Sequence, residues 1–436
     1  MMNIKTVTVI GANGTMGCNV SAIFASFGNA RVYMAARTQE KAETAVERAV
    51  LSVRASSIRK NLIPVGYDSL PKCVAESDFV FESVREDLET KLDIVALIEP
   101  YLKKDAVVAT GSSGLSITKI AEAYPESFRA RCFGVHFFNP PYMLTLCELV
   151  STEYSDPLLR RELFDYLKKI LRRTVVEVKD KPAFLGNRIG FQFINRALIA
   201  AEKYRACGGI DYIDSILGGF SGRSMAPLAT ADFVGLDVHK AIVDNLYENT
   251  SDFAHEDFIL PSYVQDLIDR GNLGRKSCGG LYKVVRKVPN EKTILVYDIE
   301  NRDFREAEKY HFAFSRSMVS ALREGSYAEA MRILLDDSSN EAGICLDFML
   351  QYIVYSVLIA DQVGFSVHGG DDVMATGFNW CPPLAIVQAF SEVTDFHTLL
   401  QERLDPQLQK KISLDKVFSL LEPSRYDFRR YLRATR

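Results

Sequence analysis

The stretch from Thr6 to Phe27 limits what this chain can fold into more than any other. Thr6 to Ile10 alternates β-branched residues, Gly11-Ala12-Asn13-Gly14-Thr15-Met16-Gly17 follows directly, and an apolar helical pattern runs on to Phe27. Strand, glycine turn and helix in that order open a doubly wound, Rossmann-type α/β domain that binds a dinucleotide. Gly11, Gly14 and Gly17 let the backbone approach a pyrophosphate, and the first helical amides, at Thr15 and Met16, offer free N–H groups. The spacing is G-x-x-G-x-x-G, one residue longer than the usual G-x-G-x-x-G. The second strand, Arg31 to Ala36, ends without the acidic residue that would take an adenosine ribose hydroxyl. Arg37 and Thr38 stand there instead, and an arginine with a hydroxyl suits a 2′-phosphate, which tilts the cofactor from NAD towards NADP.

Further buried-strand patterns recur at Ser77–Val84, Ala106–Thr110 and Thr174–Val178, separated by amphipathic helices, as a parallel sheet requires. The chain has 436 residues, 47% of them hydrophobic and 25% charged, which allows two or three domains. A net charge of −4 gives no sign of a nucleic-acid partner. No apolar run is read as approaching the roughly 20 residues needed to span a bilayer, so no membrane is expected. The first strand begins so early that no signal peptide is expected. Eight cysteines without a C-x-x-C pair suggest neither disulfides nor a metal site, and a reducing cytoplasm is expected.

The chemistry concentrates in Gly134–Val150, GVHFFNPPYMLTLCELV. His136 precedes Glu148, and an imidazole with a carboxylate partner is a good general base near neutral pH. Asn139-Pro140-Pro141 forces an extended path and a turn, and a return strand from Thr145 to Val150 can bring Glu148 back towards His136.

HFFNP followed by this glutamate resembles the core of the 3-hydroxyacyl-CoA dehydrogenase family, which favours NAD. The likeness extends through Lys179–Arg188, similar to the family's D-x-P-G-F-x-x-N-R with Ala183 for glycine. It continues through Ile210–Asp237, with Ala226 for the usual glycine, and through Leu273–Tyr282, LGRKSCGGLY. The resemblance implies roles. His136 and Glu148 form the acid/base pair, Ser113 (with Ser112 as the competing register) is the substrate-binding serine, and Asn187 holds the substrate carbonyl. Glu82, Glu86 and Lys91 lie at the nicotinamide side. It implies an acyl thioester substrate and a homodimer. The family's lysine-rich helical hairpin, which touches the CoA nucleotide, is shortened here to a single pattern over Thr38–Lys60. CoA, an acyl carrier protein or a smaller acid all remain open as carrier, as does a dinucleotide-binding scaffold without turnover.

The expected domains are a dinucleotide-binding domain over 1–181 and an all-α domain over 182–284, of 6-phosphogluconate-dehydrogenase-like architecture. A linker with one or two helices over 285–335 and a second, degenerate helical copy over 336–436 complete the chain. The copy is read from Asp371–Leu384, which repeats the pattern of Asp214–Leu228 and has Cys345 near the place of Asn187. The basic stretch Arg425–Arg436 is expected to be a frayed, solvated terminus.

Overall fold

The computed structural model describes residues 2–277, 279–288 and 291–435, and the chain forms two compact units. One comprises residues 1–184 with Val363–Phe365, the other 185–362 with 366–436.

The first unit is built on an eight-stranded sheet: β1 Thr6–Ile10, β2 Arg31–Ala36, β3 Leu62–Gly66, β4 Phe79–Glu82, β5 Val107–Thr110, β6 Cys132–Phe137, β7 Leu146–Ser151 and β8 Thr174–Lys179. Its order is β3-β2-β1-β4-β5-β6-β7-β8, parallel throughout except between β6 and β7. Alternate side chains feed two apolar layers. Val7, Val9, Val32, Met34, Phe79 and Phe81 pack on one face with Val20, Ile23 and Phe24 of helix α1, Thr15–Ser26. Ile10, Tyr33, Ala35 and Val80 pack on the other with Leu70, Val74, Ile94 and Ile98. A sheet covered on both faces explains the near-continuous apolar strands read from the sequence. The order of the strands switches between β1 and β4, which puts the ligand crevice at the carboxyl ends of those two parallel strands.

β3 has no counterpart among the strands expected from the sequence. Pro64 at its centre argues against a strand, and it is tolerated because β3 is the sheet's edge.

The second unit is mainly helical, with one departure from expectation. The segment read as a linker with helices opens instead with a three-stranded antiparallel sheet: β9 Tyr282–Val288, β10 Glu291–Asp298 and β11 Asp303–Glu306. The helices Ala313–Arg323 and Tyr327–Asp336 follow it.

The internal repeat takes physical form in this unit. Asp214 accepts the Leu228 and Ala229 N–H groups at 2.8 and 3.0 Å, closing the start of helix Pro227–Val234. Asp371 accepts the Leu384 N–H at 2.9 Å, closing the start of helix Pro383–Ser391. Between the copies lies Arg223, wholly buried. Its guanidinium sits 4.3 Å from the ring centres of Phe193 and Tyr352 and 4.7 Å from that of Trp380. Aromatic faces take the place of a carboxylate as its partner.

Two further expectations are corrected. Helix Asn340–Val363 has the length and composition to cross a membrane, so the reading that no such apolar run exists fails. The most apolar 18-residue window of that helix is 78% buried in the folded chain, as a core helix must be. The described part of the basic terminus, residues 425–435, is not frayed either. Phe428 and Leu432 are buried, Tyr426 donates to Asp372 at 2.6 Å, and the Arg433 N–H bonds the Gly219 carbonyl at 3.0 Å.

Candidate active site

The glycine turn is fixed by close contacts. Gly11 has φ +78°, and a Cβ added to it would lie 2.4 Å from the Ser83 carbonyl oxygen at the end of β4. A Cβ on Gly17 would lie 2.5 Å from the Gly11 carbonyl oxygen. Gly14 is the N-cap of α1 and no side chain caps the helix start. The uncapped amides of Thr15 and Met16 and the bare backbone beside them fit a pyrophosphate at the switch point.

A charged cluster stands across the crevice at the ends of β4 and β5. Lys91, on helix Leu88–Ile98, is buried and reaches Glu82 at 2.9 and 3.0 Å and Glu86 at 3.5 Å. Glu82 also accepts the Thr110 hydroxyl at 2.6 Å and the Val84 N–H at 2.6 Å. A buried pair persists only when its remaining lone pairs are used, and these are. Glu86 binds the loop after β5, accepting the Ser112 hydroxyl at 2.6 Å and the Ser113 and Gly114 N–H groups at 2.8 and 3.1 Å. Burial pushes its carboxyl up, but Lys91, the Ser112 and Ser113 hydrogen bonds and the nearby His136 pull it down further, leaving it below the ordinary value. The two serines divide their tasks. The Ser112 hydroxyl is buried and spent on Glu86, while Ser113 is partly exposed beside it.

His136 and Glu148 meet directly. β6 and β7 are antiparallel and put the two residues opposite each other, with His136 Nδ1 2.7 Å from Glu148 Oε2. Both side chains are buried, and the rings of Phe138 and Phe184 flank the imidazole at 4.6 and 5.8 Å. A carboxylate facing Nδ1 holds the proton there and leaves Nε2 as the acceptor. The connection between the strands turns at Pro140–Tyr142, with Met143 and Leu144 N–H groups bonded to the Pro140 carbonyl.

This geometry, a histidine–carboxylate pair in a sheet that also carries a dinucleotide turn, agrees with the comparisons with known proteins. Residues 6–181 match the 3-hydroxyacyl-CoA dehydrogenase NAD binding domain, and residues 184–284 match that family's C-terminal domain. A probable 3-hydroxyacyl-CoA dehydrogenase of Deinococcus radiodurans is 34% identical over 67% of this chain and 85% of its own length. The chain belongs to the 3-hydroxyacyl-CoA dehydrogenase family. Another member, a probable 3-hydroxyacyl-CoA dehydrogenase of Bacillus subtilis, is 29% identical over 70% of this chain, which spans 38% of that protein's length. The fold alone is shared with 3-hydroxybutyryl-CoA dehydrogenase of Escherichia coli K12, at 20% identity and a TM-score of 0.69 over 96% of this chain and 99% of that one.

Within the family fold the remaining expected residues fall as follows. Arg37 and Thr38 follow β2, and the Thr38 hydroxyl caps helix α2, Gln39–Val53, by accepting the Lys41 N–H at 3.3 Å. Asn187 is in the other unit, buried in the first turn of helix Gly186–Lys203. The N-cap of that helix is Leu185, so Asn187 is not its cap. Ala183, which replaces the glycine of the family pattern, takes the left-handed conformation with φ 55°. Sequence reasoning missed Thr110 and the carboxylate-holding role of Ser112. The parallel register that pairs Glu82 with Thr110 was the signal that could have found the first.

Proposed function

We propose that the chain is a 3-hydroxyacyl-CoA dehydrogenase-like oxidoreductase. It would move a hydride between a nicotinamide dinucleotide, NAD or NADP, and a 3-hydroxyacyl or 3-ketoacyl thioester. The observation that carries this is the 2.7 Å His136–Glu148 pair on adjacent strands of a dinucleotide-binding sheet. Members of the family named for this activity support the substrate class.

The chain's own groups have defined tasks. The glycine turn and the first amides of α1 hold the pyrophosphate, and Glu82, Glu86 and Lys91 shape the nicotinamide side. The bound nicotinamide ring supplies the hydride acceptor. His136 takes the substrate hydroxyl proton at Nε2 as the C3–H bond breaks, and Glu148 stabilises the imidazolium that forms. Ser113 donates to the reacting oxygen, and Asn187 to the acyl carbonyl. In the reductive direction the imidazolium returns its proton to the 3-keto oxygen. A homodimer built through the helical unit and a cytoplasmic site belong to the same proposal; the sequence features named above are their support.

The test follows absorbance at 340 nm with acetoacetyl-CoA, supplying NADH and NADPH separately. Oxidation of either supports the reading, and silence with both overturns an acyl-CoA substrate. One observation favours a second reading, a substrate on a smaller or different carrier. Between β2 and β3 the chain has only α2 and a short turn at Ser56–Asn61. Two of the basic side chains there are engaged within the protein: Arg48 with the Asn13 carbonyl at 3.0 Å, Arg59 with Glu47.

A further inference from the structure

β2 ends at Ala36, whose methyl group is wholly buried, and the chain leaves the sheet through Arg37 and Thr38, both exposed. In a sheet of this order the adenosine ribose lies at the end of the strand beside β1, where a carboxylate takes its 2′-hydroxyl. A methyl group cannot accept that hydrogen bond. The next acid, Glu40, is already within the first turn of α2.

The arginines of this region differ in a telling way. Arg48 donates to the Asn13 carbonyl, Arg59 pairs with Glu47, Arg85 pairs with Asp87, and Arg31 stacks on Tyr33. Among the described residues the side chains of Arg37 and of Arg54, the latter at the far end of α2, make no ion pair or hydrogen bond. Beside Arg37 the Thr38 hydroxyl accepts from Lys41, so its own hydrogen is still there to be donated. α2 is a 15-residue helix that starts at Gln39, with its positive end at the same spot. Gly66, at the end of the neighbouring strand, lies close to the helix start: a Cβ there would touch the Gln39 nitrogen at 3.5 Å, and its N–H donates to Gln39 Oε1 at 3.2 Å.

We infer that Arg37, the Thr38 hydroxyl and the first amides of α2 form a site for a ribose 2′-phosphate, so that this member of the family takes NADP(H) in preference to NAD(H). The guanidinium supplies charge and a planar fork of donors, and the helix start supplies N–H groups. The inference deepens the proposed function and rests on its dinucleotide-binding part alone.

Binding is measured without acyl substrate, titrating NADPH and NADH into the full-length protein and following nicotinamide fluorescence. NADPH is expected to bind at least tenfold more tightly than NADH, and 2′,5′-ADP to displace it better than ADP does. Arg37→Ser should weaken NADPH tenfold or more and leave NADH unchanged, while Arg37→Lys, which keeps the charge, should recover part of the loss. NADH binding as tightly as NADPH, or Arg37→Ser weakening both alike, overturns the inference. If neither dinucleotide binds, both this site and the dinucleotide reading fall. If NADPH binds but no 3-ketoacyl thioester is turned over, only the substrate reading falls.

Discussion

His136 illustrates how a residue's chemistry is settled by what touches it. Nδ1 is committed to Glu148, which leaves Nε2 as the proton acceptor of the proposed mechanism, on an imidazole with two phenylalanine rings beside it. His136→Gln is expected to lower kcat by about 10²–10⁴, with NADPH affinity unchanged in the fluorescence titration. Near-normal turnover would remove His136 from the mechanism. Ala183 offers a prediction about stability. An L-residue in the left-handed region costs roughly 1–2 kcal/mol, and glycine gives back about 0.5–1 of this through chain entropy. Ala183→Gly should therefore raise stability by up to about 1 kcal/mol, seen as a melting temperature a few degrees higher; a lower one would show that the Ala183 methyl contributes packing that outweighs the strain. Much of the site was legible at this scale because its residues are chemically distinctive: the glycines, His136 and Glu148. Thr110 and Ser112 are ordinary strand-end residues whose importance comes from Glu82 and Glu86, 28 and 26 positions away. Only the folded sheet brings those partners to them.

At the level of elements, the dyad depends on one antiparallel ladder. Val135↔Leu149, His136↔Glu148 and Phe137↔Cys147 are successive rungs, so the pair is set by register and not by the length of the connecting loop. Inserting one glycine between Met143 and Leu144, beside a Met143 that is 80% exposed, should keep at least a tenth of wild-type kcat. One residue inserted between Leu146 and Cys147 turns every later side chain of β7 to the opposite face and should abolish turnover. Equal losses from the two insertions would refute control by register. Legibility follows the same physics. Strands of the doubly wound sheet that are buried on both faces carry apolar runs, and β1, β2, β4 and β5 could be read from them. β9–β11 could not, because Lys283, Val284 and Ile294 are intermediate or exposed and the pattern gives no clean two-fold alternation. β3 was hidden by Pro64.

Over the whole molecule, the duplicated aspartate caps link stability to pH. Burial pushes both Asp214 and Asp371 up to about 7, against N–H and hydroxyl donors that pull them down. An unfolded aspartate titrates near 3.9. A raised folded value means that stability is fully present below about pH 4 and is lost progressively as pH rises towards 7. Thermal unfolding should therefore occur at lower temperature at pH 7.5 than at pH 5.5. Asp371→Asn, which keeps an oxygen for the Leu384 N–H and an amide for Ser424, should flatten that slope; an unchanged slope would place the titration elsewhere. The likeness of the two aspartate caps was legible because the Asp–Pro–Leu pattern recurs, whereas the docking of the terminus was hidden by its many arginines. The meeting of the copies around Arg223 has a practical side as well. Trp380 is the chain's single tryptophan, and it lies against that guanidinium with Phe193 edge-on and Phe378 tilted beside it. The protein thus carries a built-in spectroscopic reporter at the seam: its intrinsic indole emission reads the joining of the two copies, and a red shift on mild denaturant would record their parting without any label.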